Sequence, residues 1–255
     1  MKVESAIIPT RDGTHLSAEI NYSSSYGPTQ GAIIFVHGFA ANMYENGLFR
    51  SLADNAAGKG FQSVLYDWRG INDNTFHSTT LHQHVEDFEQ VVQWTRERFP
   101  ENTESLNAVG FSLGAAVVGL ALEQQTLLSN VVYLSPGVRP RLSMWPRYKS
   151  LSDKIEKHGV VEKPESKILL GRPILNSLRD TDLGPRAFDV DIPLLVVHGT
   201  EDSRIDPSHT REIVAEKDSK PNFAYVEFDG ASHSFRPAEA HWPVLGSTIT
   251  KWLTD

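Results

Sequence analysis

The chain has no cysteine among its 255 residues. Disulfide and thiolate chemistry are therefore excluded, and the composition fits a reducing, cytoplasmic setting. Long apolar runs are missing too. No window approaches the ~20 apolar residues of a membrane span. The opening "MKVESAIIPTRDG" carries only a short apolar patch before Pro9, not the ~7–15-residue core of a secretory signal. Positive charge is in deficit: 24 Lys and Arg face 32 Asp and Glu, a net −8. That balance argues against nucleic acid as the main partner. There is no internal repeat and no low-complexity tract. What remains is ordinary for a globular protein, with 40% apolar and 22% charged residues, enough to bury a sizeable core without staples. The length suits one large α/β domain or two small ones.

The apolar residues are organised in alternation. "VESAIIP" and "THLSAEINY" flank Asp12-Gly13, which reads as a strand hairpin. "GAIIFVHG", "QSVLYDW", "LNAVGFS", "VVYLSPG", "PLLVVHGTED" and "NFAYVEFDG" are continuous apolar runs, the pattern of strands buried on both faces. Between them, "LHQHVEDFEQVVQWTRERF" puts Val85, Phe88, Val91, Val92 and Phe99 on one stripe, as an amphipathic helix does. "LGAAVVGLALEQQ" predicts an apolar helix. "PSHTREIVAEKD" predicts another, with Asp206 as N-cap and Pro207 in the first turn. A last helix is expected from about Ala238 to Leu253. Strands alternating with helices imply a mostly parallel sheet covered on both faces.

Residues 137–190 break that rhythm. They lack a convincing buried strand yet carry Trp145, Tyr148 and several prolines, and they are basic. Between Pro136 and Arg172 there are nine Lys/Arg against four Asp/Glu, a net +5 inside an acidic chain. The expected organisation is a single domain: a core of residues 1–136 and 191–255, with 137–190 as a helical lid insertion.

The chemistry is read from "VGFSLG". Gly110 and Gly114 flank Ser112 where a strand gives way to a helix. A turn that sharp crowds the backbone against its neighbours and leaves no room for a Cβ at either shoulder. It lifts the serine to the N-terminus of the next helix, where negative charge is stabilised. This is the strand–turn–helix context of a nucleophile elbow. A serine hydroxyl needs a base, and of ten histidines the best placed is His233, in the short polar loop "FDGASHSFRP" before the last helix. The base needs an acid to hold its ring. "HGTEDSRIDP" offers Glu201, Asp202 and Asp206. Asp206 has a capping role and Glu201 is longer and more solvated, so Asp202 is the candidate. The order Ser…Asp…His is that of this elbow. Two backbone N–H groups must receive the oxyanion: Leu113, directly after the serine, and Phe39 in "VHGFAANM" are expected to supply them.

Over essentially its whole length the chain resembles the α/β-hydrolase superfamily, and within it the serine esterases grouped with monoacylglycerol lipases and cinnamoyl (feruloyl) esterases. The pieces that carry the resemblance are "HGF" at 37–39, "YDWRG" at 66–70, "GFSLG" at 110–114, "HGTED" at 198–202 and "SH" at 232–233. The family's second glycine after the Asp-x-Arg-Gly segment is replaced here by Ile71-Asn72-Asp73-Asn74. The resemblance implies an α/β-hydrolase fold with a small helical lid late in the core, and a carboxylesterase acting on a small-molecule ester without cofactor. The basic insertion falls where the lid belongs, and Trp145 and Tyr148 are its candidates for an aromatic substrate wall.

Several competing readings carry different expectations. "HQH" at 82–84 is not a metal pair, since residues two apart do not share a helix face. Asp67 and Arg69 are expected to pair within the loop structure, and Trp68 to pack. The basic insertion is either a solvated surface or an attractor of anionic substrates, which would favour an acyl thioesterase. An amidase or carbon–carbon bond hydrolase shares the same constellation. From another class comes a ligand-binding protein that retains a hydrolase pocket; Ser112→Ala would leave its response intact and would silence an esterase.

Overall fold

The computed structural model describes residues 2–23, 29–102, 104–163, 166–215 and 221–254. Its strands are β1 (Val3–Pro9), β2 (His15–Asn21), β3 (Gly31–Val36), β4 (Phe61–Tyr66), β5 (Leu106–Phe111), β6 (Asn130–Leu134), β7 (Val160–Glu162), β8 (Leu169–Gly171), β9 (Leu194–Gly199) and β10 (Phe223–Phe228). The helices are α1 (Leu48–Gly58), α2 (Leu81–Arg98), α3 (Leu113–Glu123), α4 (Pro140–Ser143), α5 (Trp145–Tyr148), α6 (Ser152–His158), α7 (Arg172–Asp180), α8 (Pro207–Val214) and α9 (Ala238–Thr254). Eight strands form one sheet in the order β1-β2-β4-β3-β5-β6-β9-β10. Only β1–β2 and β2–β4 are antiparallel; the other pairs are parallel. The sheet is thus mostly parallel and flanked by helices.

Period-two alternation sorts the strand residues to the two faces. Ile34, Val36, Ala108, Val131 and Tyr133 face the layer of α2 and α3. Ile33, Phe35, Val109, Val132 and Leu195 face α1 and α9. Helix α2 begins on a reciprocal cap in which Thr80 and Gln83 each hold the other's backbone N–H, satisfying donors the helix start leaves open. Its stripe Val85, Phe88, Val91 and Val92 is buried. Asp206 caps α8 through the Ser208 N–H at 2.9 Å. The expected continuation of that helix through Asp218 runs into positions that lie outside the described residues.

Three features differ from expectation. Helix α1 was not singled out in the sequence, yet Leu48, Phe49, Leu52, Ala53 and Ala56 bury one of its faces. Strand β10 reads as fully buried but is the sheet's last strand and is mostly half-exposed, because among the described residues no strand pairs with its outer edge. The segment between β6 and β9 contains a short antiparallel hairpin, β7–β8, beside its helices. Strands of three residues are too brief for periodicity to reveal. Among the described residues, no helix is long and apolar enough to cross a membrane.

Candidate active site

Ser112 joins β5 to α3 with φ 54° and ψ −121°, a sparsely populated conformation that costs ~1–3 kcal/mol and persists only where its surroundings enforce it. Here they do. Its N–H donates to Leu134 O at 2.9 Å, and its carbonyl accepts from Gly137 N at 2.8 Å and Ala115 N at 3.1 Å. The flanking glycines follow from close approach. A Cβ on Gly110 would stand 2.8 Å from Ala115 Cα, and one on Gly114 would overlap the Val36 carbonyl oxygen.

His233, in the loop between β10 and α9, places Nε2 3.0 Å from Ser112 Oγ and Nδ1 2.7 Å from Asp202 Oδ2. A carboxylate only accepts, so the ring proton sits on Nδ1 and Nε2 is left to accept from the serine hydroxyl. The ring leans on Phe111 at 4.9 Å, and Ser135 Oγ donates to the His233 carbonyl at 2.9 Å. Burial pushes the imidazole below its ordinary value, against the upward pull of Asp202. It is therefore held neutral, as a base must be.

Asp202 follows β9 and is held from every side. Oδ1 accepts from Arg204 N at 2.8 Å and Ile205 N at 2.9 Å. Oδ2 accepts from His233 and also from His198 Nε2 at 2.9 Å. Burial opposes its ionisation, but the hydrogen bonds from His198, His233 and the Ile205 N–H outweigh that cost. They hold the carboxyl well below the usual carboxylate range. Of the other acids in that loop, Glu201 is exposed and Asp206 caps α8. His198 is the member that sequence reasoning missed: it stands in the quoted "VVHGTED", but nothing local shows that its ring turns back onto the carboxylate.

The expected oxyanion donors lie at the same spot. Leu113 opens α3, so its N–H has no intrahelical acceptor. Phe39 sits in the turn after β3, where a Cβ on Gly38 would be 3.1 Å from Ser112 Cβ. A cavity of about 490 Å³ opens beside them, its wall including Phe39, Ser112, Tyr148, Lys163, Arg204 and His233. Tyr148 packs on Phe39 at 5.1 Å. Trp145 does not reach this cavity. It stands at the start of the one-turn helix α5 and leans toward α6 and α7, lining a separate depression with Ile155, Arg172 and Leu175. Glu45, which sequence reasoning did not single out, is buried at the cavity wall. Burial pushes its carboxyl up to about 7, against a hydrogen bond from the Gly38 N–H and the charges of Lys163 and Arg204.

The remaining candidates are structural. His37 Nδ1 donates to Gly38 O at 2.9 Å and Nε2 accepts from Trp68 N at 3.0 Å, so the buried ring is neutral. Arg69 reaches Asp87 at 2.7 Å and Asp12 at 2.7 Å, while Asp67 accepts from Met43 N at 2.7 Å and Asn72 Nδ2 at 3.0 Å. The two residues thus bind other partners rather than each other. His84 is stacked on Trp68 and Phe76, whereas His82 is exposed. Among the described residues, no group of three or more His, Asp or Glu could hold a metal ion.

No curated protein sequence matches the chain. Solved structures with the same fold include Est1E from Butyrivibrio proteoclasticus, 16% identical with a TM-score of 0.75 over 98% of this chain and 97% of that one. The Pyrococcus furiosus esterase Pf2001 is 17% identical, TM-score 0.74, over 99% and 90%. XC6422 from Xanthomonas campestris, described as an α/β serine hydrolase without lid, is 15% identical, TM-score 0.69, over 99% and 94%. The sequence model of the alpha/beta hydrolase fold matches residues 31–158, half of the chain, spanning β3 to α6 with the serine elbow inside it. On that match the chain belongs to the alpha/beta hydrolase fold family.

Proposed function

We propose that the protein is a serine carboxylesterase working through an acyl-enzyme. The observation that carries this reading is the continuous hydrogen-bond chain from Ser112 Oγ through His233 to Asp202, at 3.0 and 2.7 Å. In the proposed first step Ser112 Oγ bonds to the ester carbonyl carbon as its proton passes to His233 Nε2. The carbonyl electron pair moves onto oxygen, which the N–H groups of Phe39 and Leu113 receive. Asp202 stabilises the imidazolium without taking its proton. Collapse breaks the bond to the alcohol oxygen, which leaves with the proton from His233. A water then gives its proton to His233 and attacks the acyl carbon, and the acid is released as Ser112 Oγ regains a proton. Residues 137–190 act as a lid, since Met144, Tyr148, Lys163 and Ile168 all line the cavity.

A second reading, an acyl thioesterase taking an anionic substrate, is favoured by one observation. Arg147, Lys163 and Arg204 line the cavity against one carboxyl among the described residues, Glu45. The test of both is hydrolysis of p-nitrophenyl esters from acetate to palmitate, methyl ferulate and an acyl-CoA, by wild type and Ser112→Ala. Loss of at least ~10⁴ in kcat on the mutation supports the serine mechanism. A higher kcat/KM on the thioester selects the second reading. No Ser112-dependent turnover on any of them would refute both.

A further inference from the structure

The turn after β3 is held to an extent that the proposed mechanism has not used. Its successive peptide groups are pinned by three buried side chains, two from the turn's own neighbourhood and one from far along the chain. The Gly38 N–H donates to Glu45 Oε1. The Gly38 carbonyl accepts from His37 Nδ1 at 2.9 Å. The Phe39 and Ala40 carbonyls accept from Lys163 Nζ at 3.2 and 3.4 Å. The turn needs such restraint, because Ala40 and Glu45 have φ of 49° and 45°, conformations that non-glycine residues keep only when their surroundings impose them.

Orientation follows from peptide geometry. The Gly38–Phe39 bond is trans, so its N–H points opposite to its carbonyl. With that carbonyl turned to the buried His37 ring, the Phe39 N–H is directed away from the ring. The next peptide is fixed by Lys163, so rotation of either unit would break a buried hydrogen bond. Lys163 is remote in sequence, lying directly after β7 in the inserted hairpin, and is only 8% exposed. Its ammonium group also stands over the Phe39 ring, 5.7 Å from the centroid. A lysine is rarely buried unless its ammonium group is hydrogen-bonded or paired.

We propose that Lys163 is a positioning residue: the inserted hairpin reaches the core through it and, with Glu45 on the other side of the turn, aims the Phe39 N–H at the developing oxyanion. The insertion is then part of the catalytic geometry rather than a cover alone. This rests on the serine-hydrolase reading, and the experiment separates the two.

Lys163→Met, Lys163→Arg and Ser112→Ala are compared with wild type on p-nitrophenyl butyrate and for inhibition by an alkyl trifluoromethyl ketone, whose adduct with serine carries the oxyanion. Complete loss of one oxyanion donor costs ~10²–10³ in kcat, so misaiming one is expected to lower kcat about 10–100-fold. KM stays within about twofold, the ketone weakens by the same factor as kcat/KM, and Lys163→Arg restores most of both. If Lys163→Met does not yield folded protein, Lys163→Gln, which keeps a donor without the charge, is read in its place. A fall in melting temperature with kcat kept within twofold would overturn the proposal, as would a change confined to KM. Amide exchange of residues 38–41 is followed in the same variants. Faster exchange there, with residues 130–134 unchanged, is expected. If wild type shows no Ser112-dependent turnover, the hydrolase reading fails and the exchange alone decides the clamp; unaltered exchange then refutes it.

Discussion

Replacing Glu45 with Gln should make the protein's stability less sensitive to alkali, by an amount the structure sets. Burial raises the Glu45 carboxyl from 4.5 to about 7, so between those values the folded chain binds a proton that the unfolded chain has released. Stability therefore falls as pH rises across that window, and the loss is complete above the folded value. Each unit of displacement is worth about 1.36 kcal/mol, which makes the full penalty about 3 kcal/mol. Most of it, about 2.5 kcal/mol, develops between pH 5 and pH 8. Gln keeps an oxygen for the Gly38 N–H and carries no charge to bury. The difference in melting temperature, Gln variant minus wild type, should thus grow in the variant's favour by roughly 5–10 °C from pH 5 to pH 8. Differential scanning calorimetry at the two pH values, or urea titration where unfolding is irreversible, measures it. A difference that does not change with pH would refute the reasoning. It would mean that Lys163 and Arg204 compensate a Glu45 charge fully and that the carboxylate is ionised throughout.

Other consequences follow from the same geometry. Because burial lowers the His233 imidazole, kcat/KM of the Glu45→Gln variant should lose activity only as pH falls through a point below 6.5; an acidic limb above 6.5 would contradict the placement of that ring. Gly114→Ala should disrupt the elbow, since its methyl would overlap Val36 O, whereas nothing lies within 4 Å of a Cβ on Gly58 at the end of α1. Gly58→Ala should instead stabilise by about 0.4–1 kcal/mol, and equal effects of the two in urea unfolding would remove the close-approach argument. Arg69→Met strands the Asp87 side chain, which is fully buried, and should cost about 3–5 kcal/mol. Adding Asp87→Leu should recover much of that, and a single-mutant loss below about 1 kcal/mol would show that the pair does not hold α2 to its loop.

What the sequence by itself determined is whatever depends on near neighbours. Continuous apolar runs bounded by turn signals place the strands of the eight-stranded sheet, because a strand covered on both faces needs apolar side chains in both directions. The pattern Gly-x-Ser-x-Gly between an apolar strand and an apolar helix marks the elbow, although only Gly110 answers to backbone one turn away; Gly114 answers to Val36 on β3, which the fold brings against it. The loops after β9 and β10 could be picked out as the places for an acid and a base, since in a parallel sheet the loops at the carboxyl ends of the strands converge. The tertiary structure decided the rest. His198 on Asp202, Glu45 on the Gly38 N–H and Lys163 on the carbonyls of Phe39 and Ala40 are bonds between buried polar groups. Once water is excluded such groups must find partners wherever the chain has brought them, and the Lys163 bonds bridge 123 and 124 residues. The same holds for Tyr148 and Trp145, three positions apart on one short helix. Their aromatic character is legible in the sequence, but only the packing of α5 against Phe39 on one side and α7 on the other sends the tyrosine to the cavity and the tryptophan away from it.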